Sequence, residues 1–467
     1  MSELTKDLAS QNGNQASAML GELTGDELLA QNGNQAGSAM GELTDDELLA
    51  QNGNQAGVGV AEYFDELAGE SKYLTFTANE DGVELAFFFN RSMASEEQQN
   101  PNISFKKSMD GGLTWEEHTV GVYDPEDGDT SDLDIISLDE GESVMFKGVN
   151  SENFTVGDPF DAEEGVYVGF YLDGSAAASG DITSLINGAG GDALVQFLQF
   201  YSMFSGCTDL TSAPALPATT LANGCYARMF IGCTGLTQAP VLPATTLAEY
   251  CYSYMFHGCT GLTEAPALPV TTLADFCYAY MFSSCTGLTE APALPATTLA
   301  ENCYTSMFYG CTDITSAPAL PATTLADGCY SSMFRDCTGL TQAPALPATT
   351  LSNSCYSAMF FGCTGLTQAP VLPATTLASN CYNTMFRNCT SITSYDVATL
   401  NNSGNTFQNN TSCTSLTIHA ETPPTISDNT ITGLKIGCAI YVPAASVSAY
   451  KAAQYWSQRA AFIQAMP

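Results

Sequence analysis

Seventeen cysteines and three histidines are the side chains here best suited to disulfide, metal or nucleophile chemistry. Their spacing decides between those uses. Fifteen cysteines fall on two rows: Cys207, Cys233, Cys259, Cys285, Cys311, Cys337, Cys363 and Cys389, then Cys225, Cys251, Cys277, Cys303, Cys329, Cys355 and Cys381, each row stepping by 26 residues. Zinc sites draw on CxxC pairs or clustered histidines, and neither accompanies these cysteines. The regular step reads best as two ladders of buried thiols, one rung per repeat, because free cysteine packs as a small hydrophobe. Disulfides and a metal are the two lesser readings. A ladder thiol facing a core lacks the electropositive surroundings that would make it a thiolate, so it is not expected to be a nucleophile.

Other catalytic chemistry finds no footing. From His118, His257 and His419 no Ser/His/Asp or Cys/His arrangement can be built. No Walker loop, GxGxxG or HExxH occurs. Six carboxylates crowd one segment: Asp124, Glu126, Asp127, Asp129, Asp132 and Asp134. Such a loop either takes calcium or stays solvated. The EF-hand order fails, since position 12 from Asp124 is Ile135, and the solvated loop is the better reading. No apolar pocket is evident beside these acids to raise a pKa for acid catalysis. The chain therefore reads as a non-enzyme with no cofactor and no metal.

The 467 residues, 45% hydrophobic, leave room for roughly two to four folding units. Thirty-eight of the fifty carboxylates lie in residues 1–200 and twelve in the remaining 267. That acidic first part would repel phosphates, so nucleic acid is not an expected partner. No stretch approaches the roughly 20 apolar residues of a membrane helix, and membrane insertion is not expected. Met1-Ser2-Glu3-Leu4-Thr5-Lys6-Asp7 has neither the basic nor the apolar part of a secretory signal, so no export route is expected.

Residues 1–57 hold three copies of one motif, ELTKDLASQNGNQAS, ELTGDELLAQNGNQAG and ELTDDELLAQNGNQAG. In the second, Thr24 and Glu27 form a capping box, Leu28 and Leu29 follow, and Asn32-Gly33 stops the helix. Thr44, Glu47, Leu48, Leu49 and Asn52-Gly53 repeat the pattern, and Leu8 is the counterpart in the first copy. A helix of two turns needs a partner to cover its leucines. The segment is either an acidic tail lengthened by duplication or, the sharper reading, three docking peptides for a multi-copy virion or surface protein, gaining avidity by linkage. Residues 58–72 read as a linker.

Residues 73–185 read as a small β-sandwich. Strands are expected at 73–77, 83–89, 103–105, 113–115, 142–148 and 165–171 from alternation and apolar runs, with Asp110-Gly111-Gly112 as a hairpin turn. Residues 186–200 are the expected N-terminal cap of a repeat array over 201–395, and 396–467 a degenerate last repeat with a C-terminal cap. In the unit running from Cys251 to Ala274, Leu247, Cys251, Met255 and Cys259 sit four apart with Tyr252 and Phe256 beside them, which predicts one face of a short helix. Leu262-Thr263-Glu264-Ala265 is the strand, stopped at Pro266. Each unit buries little alone. Stacked about 4.8 Å apart, eight units form a continuous core roughly 35–40 Å long, an α+β solenoid.

The unit CYxxMFxGCTGLTxAPxLPATTLA resembles the BspA-like leucine-rich repeat family over residues 201–395. Ser108 to Trp115 and Val144 to Gly148 look like the β-domain that precedes such arrays, and Ile440 to Tyr450 like their C-terminal cap. The resemblance implies a leucine-rich-repeat-like solenoid, found in bacterial surface adhesins and in phage structural and host-attachment proteins. The N-terminal triplet has no counterpart in the surface-anchored members.

Comparing the repeats with one another separates a constant scaffold from variable positions. Before Gly-Cys the residues include Ile231, His257, Tyr309, Arg335, Phe361 and Arg387; before the other cysteine, Tyr250 and Phe276; two after the constant tyrosine, Arg228, Tyr254 and Tyr280. Aromatic rings and arginine are the residues of interface hot spots. Either these positions drift neutrally on a solvated face or, the preferred reading, they form a ligand-binding face with an aromatic patch at Tyr250, Tyr254, His257, Phe276, Tyr280 and Tyr309. The expected function is that of a phage virion structural protein of fibre, decoration or host-attachment type. Its N-terminal repeats would anchor it, and its solenoid would hold a host surface glycan or protein. A bacterial cell-surface adhesin is the alternative, and an intracellular scaffold a weaker one.

Overall fold

The computed structural model describes residues 35–37, 50–52 and 72–467, apart from 95–97, 125–127, 159–163, 192–194 and 402–403. The chain divides into two units, Met1–Lys72 and Tyr73–Pro467. In the first, β1 (Gln35–Gly37) pairs antiparallel with β2 (Ala50–Asn52). The expected helices, and Leu8, Leu28, Leu29, Leu48 and Leu49, lie outside the described residues.

The second unit opens with two sheets. One has the order β10 (Thr155–Asp158), β11 (Glu164–Asp173), β4 (Val83–Met93), β7 (Gly121–Tyr123), with β8 (Ile136–Leu138) also on β4. The other runs β13 (Leu210–Ser212), β12 (Ala176–Ser179), β3 (Leu74–Ala78), β9 (Ser143–Gly148), β5 (Phe105–Ser108), β6 (Glu116–His118). Alternation sends Val83, Leu85, Phe87 and Phe89 from β4 toward the facing sheet. There Phe76 stacks on Phe170 at 4.2 Å and Phe87 meets Phe146 edge-on at 5.0 Å, so aromatic rings from both sheets share one core. Gly169 pairs with Phe88, whose ring occupies the space a Cβ there would need.

The strand expected at 113–115 does not form. The Asp110 carboxylate accepts the Thr114 N–H at 2.9 Å and its hydroxyl at 2.6 Å, and Trp115 Nε1 donates back to the Gly112 carbonyl. These local bonds take the groups a ladder would use, and pairing starts only at Glu116. Strands β7, β8, β10 and β12 carried no sequence signal; three of them are three or four residues beside longer partners, and β12 is an alanine run.

The sheet continues into the repeats without a break, since β12 pairs parallel with β13 of the first repeat. The expected helix in each repeat is absent. In its place lies a chain of four-residue turns in which alternate N–H groups divide their bonds. Cys225, Ala227, Met229 and Ile231 donate to carbonyls three residues back, while Gly224, Tyr226, Arg228, Phe230 and Gly232 donate to Glu249, Cys251, Ser253, Met255 and His257 of the next repeat, at 2.7–3.1 Å. A helix would keep all of them within itself. The backbone can turn this way because every fourth residue is left-handed: Gly224 (φ 61°), Arg228 (58°), Gly232 (72°), and likewise in each later repeat. The four-residue spacing of Cys251, Met255 and Cys259 therefore reports a turn period of four. A helix would rotate such positions by about 40° at each step.

Cys225, Tyr226, Met229, Phe230 and Cys233 are buried, as are their equivalents down the array. Successive tyrosines and phenylalanines stack nearly parallel, Tyr252 on Tyr278 at 5.9 Å and Phe256 on Phe282 at 5.7 Å. On this side of the array the step is wider than the strand spacing the sequence suggested. The strand segment shrinks to single parallel bridges such as Gln238 with Glu264 and Gln342 with Gln368, as the following proline requires.

The chain ends in a parallel sheet, β14 (Ser394–Val397), β15 (Ser415–Ile418), β16 (Ala439–Val442) and β17 (Ile463–Ala465), with α2 (Val447–Ala452) after β16; α1 (Ser184–Asn187) is the other α-helix described. Trp456 is fully buried there, its Nε1 bonded to the Pro424 carbonyl at 3.0 Å.

Candidate ligand-binding face

The variable positions lie in two of the left-handed columns and in the row just before Gly-Cys. The first column reads Gly224, Tyr250, Phe276, Asn302, Gly328, Ser354 and Asn380, with φ between 50° and 62°. The second reads Arg228, Tyr254, Tyr280, Ser306, Ser332, Ala358 and Thr384, with φ between 52° and 58°. Glycine and asparagine accept this conformation readily. A side chain with a Cβ pays about 1–2 kcal/mol for it, and a bulky one there is an outlier that calls for a cause. The constant residues between the columns, Cys251, Tyr252, Met255 and Phe256, turn inward. The large variable side chains Tyr250, Tyr254, His257, Phe276, Tyr280 and Tyr309 are left half-buried.

Tyr254 stacks on Tyr280 at 4.4 Å with planes 5° apart, and Tyr250 on Phe276 at 4.6 Å. His257 meets the edge of Tyr254 at 5.8 Å, and the Arg228 guanidinium lies 5.2 Å from the same ring. The structure thus forms two stacks from these residues, Tyr250 with Phe276 and Tyr254 with Tyr280, with His257 and Arg228 against the second. Tyr309 belongs elsewhere. It forms a second cluster in which Arg335 lies 5.6 Å from its ring and 4.4 Å from Phe361, and Arg387 lies 5.4 Å from Phe361. Ile231 occupies the His257 row, half-buried. The three arginines Arg228, Arg335 and Arg387 are the complete set of basic lysine and arginine side chains in residues 201–395, and all three sit on this face.

Burial and the neighbouring Tyr280 push the Tyr254 phenol up to about 12, so it stays neutral. Burial and then the Arg228 charge hold His257 below the ordinary imidazole range. The face therefore presents neutral rings with fixed guanidinium charges. Sequence reasoning missed its acidic margin. Glu249, Asp275, Glu301 and Asp327 form the column next to Tyr250 and Phe276, all exposed, with Asp275 accepting the Glu301 N–H at 2.8 Å. It also missed Asp336, which stands in the glycine row and pairs with Arg335 at 3.4 Å. Comparing the repeats at those two positions would have found both.

The other chemistry-bearing residues take structural places. Burial pushes the Cys225 thiol up to about 12, and Cys233, Cys259 and Cys285 donate to the Phe204, Phe230 and Phe256 carbonyls at 2.9–3.0 Å. His118 is buried in the β-domain. Burial drives its imidazole down to about 4 against the pull of Asp134, 3.1 Å away. Asp134 thereby leaves the solvated loop: although burial opposes it, the Thr119 N–H, His118 and Lys107 hold its carboxyl below the usual range. His419 pairs with Asp396 at 2.7 Å on the surface. Among the described residues no three His, Cys, Asp or Glu side chains gather as a metal site requires, and no helix is long and apolar enough to cross a membrane.

Fold and face together define a sheet-dominated, mostly β chain built on repeated 26-residue units. No protein-family model matches this chain, and no curated protein matches it.

Proposed function

We propose that this chain is a non-enzymatic binding protein whose 26-residue units wind as one solenoid, carried in a phage virion by residues 1–57 and holding a host surface glycan or protein on the aromatic face. One observation carries the reading. Tyr250, Phe276, Tyr254 and Tyr280 occupy left-handed positions that other repeats, Arg228 apart, give to glycine, asparagine or small residues. Drift would remove the resulting strain, whereas a ring that contributes to binding keeps it in place. The paired rings offer flat apolar area, and the exposed Glu249, Asp275 and Glu301 beside them accept hydrogen bonds from hydroxyl or amide groups. The acidic motif copies supply linked, near-identical grips for a multi-copy partner.

The test replaces Tyr250, Tyr254, Phe276 and Tyr280 together by glycine and measures adsorption of particles, or of the purified chain, to host cells. Loss of adsorption by about tenfold or more, with the fold retained, is expected from removing stacked hot-spot rings. Unchanged adsorption overturns the ligand face. Deleting residues 1–57 is expected to abolish incorporation into particles and leave the rest folded; normal incorporation overturns the anchor.

A further inference from the structure

Two cysteines stand off the ladders. Cys413 precedes β15 and Cys438 precedes β16, and these strands run parallel with Ser415 opposite Ala439. Ala439 donates its N–H to the Thr414 carbonyl at 2.9 Å, which holds the two segments side by side immediately next to both cysteines. One residue out of step across parallel chains about 4.8 Å apart, the two cysteines have Cα atoms about 6 Å apart, within the roughly 4.4–6.8 Å that a disulfide spans. The sulfurs face each other at 3.0 Å. Among the described residues no other thiol hydrogen-bonds a thiol. The thiols of the Gly-Cys ladder each donate to a phenylalanine carbonyl, Cys207 to Phe170 of β11 and the later ones to an earlier repeat, as Cys311 does to Phe282 and Cys363 to Phe334.

We propose that Cys413 and Cys438 are a reversible disulfide site, closed by a small-molecule disulfide, that clasps the C-terminal parallel sheet. Cys438 attacks first. The contact with Cys413 and the Arg459 charge together outweigh burial and lower its pKa. The turn leading into it, Lys435, Ile436 and Gly437, is exposed, which brings the pair close to solvent. The Cys438 thiolate attacks one sulfur of oxidised glutathione, forming a mixed disulfide and releasing one glutathione thiolate. Cys413 then attacks the Cys438 sulfur and expels the second glutathione. The two protons from the protein thiols go to the departing glutathiones. Two protein thiols are oxidised by two electrons and one glutathione disulfide is reduced to two thiols. A reducing compartment keeps the pair open and an oxidising one closes it.

The full chain, undenatured, is equilibrated with excess oxidised glutathione, then acid-quenched, denatured, alkylated and mapped by mass spectrometry. Alkylatable thiols are expected to fall from seventeen to fifteen, with a single cross-linked peptide pair containing Cys413 and Cys438. All seventeen remaining alkylatable, or a cross-link between other cysteines, overturns the proposal. In Cys413→Ser the second step is blocked, and one glutathione is expected to stay on Cys438. An adduct elsewhere, or none, refutes the assigned order of attack.

Discussion

Ser331 and Ser332 are adjacent, both half-buried, and identical in chemistry, yet they should respond oppositely to the same pair of substitutions. Ser332 is left-handed at φ 54°, and Ser331 is not among the positive-φ residues. Each is held by a backbone bond, Ser332 N–H to the Ser357 carbonyl at 2.7 Å and Ser331 N–H to the Gly328 carbonyl at 2.9 Å. At position 332 a Cβ costs about 1–2 kcal/mol, while glycine loses about 0.5–1 kcal/mol more chain entropy than alanine on folding. Ser332→Gly should therefore be more stable than Ser332→Ala by about 0.5–1 kcal/mol. At position 331 only the entropy acts, so Ser331→Ala should exceed Ser331→Gly by about the same amount. The two differences have opposite signs and together span about 1–2 kcal/mol, within reach of denaturant or thermal midpoints measured on four variants. If this stretch were a helix, alanine would win at both positions by about 1 kcal/mol. Alanine winning at 332 refutes the turn architecture and, with it, the strain argument for the aromatic face.

Three further outcomes follow from the interior. Raising the ordinary thiol value of 9.0 to about 12 at Cys225 and Cys303 lowers the thiolate fraction about a thousandfold, so ladder cysteines in the undenatured protein should label about that much more slowly than in urea; rapid labelling of most of them would dismantle the stacked core. His118, at about 4 in the fold against 6.5 unfolded, keeps its full contribution above pH 6.5 and loses it between 6.5 and 4, because only the unfolded chain binds the proton there. About 3 kcal/mol should disappear across that window, and His118→Gln should flatten the fall in the unfolding midpoint; an unchanged pH profile counts against it. Trp456→Ala should cost about 3–5 kcal/mol and open the C-terminal sheet to protease before the repeats; equal protease resistance of the unsubstituted protein and the variant would contradict the full burial of Trp456.

Much of this protein is legible in its residues. The step of 26 is visible in Cys207 to Cys389, and so is the partition between constant inward and variable outward positions, because stacking identical side chains forces each row to repeat. Apolar alternation exposed β3, β4, β9 and β11, whose lengths let period two stand out. Three-residue strands such as β7 and β8 have too few residues to show a period, and their existence depends on the β4 edges beside them.

The run around Cys251 and Met255 shows where the residues stop deciding. Four-residue spacing of apolar side chains satisfies both a helix and a chain of turns, and the choice rests on where alternate N–H groups find acceptors. Those acceptors, such as the Cys277 and Ala279 carbonyls for Tyr252 and Tyr254, lie 25 residues away. The glycines 224, 232 and 258 were a sequence trace of it, but Tyr250 and Tyr254 hid the same left-handed backbone behind rings. Likewise, nothing in the spacing of Cys413 and Cys438 marks them as partners; parallel pairing of β15 with β16 brings their sulfurs together. Composition and period, being properties of each unit, were written along the chain. Hydrogen-bond destination, left-handed strain and the meeting of distant side chains exist only once one unit lies upon the next.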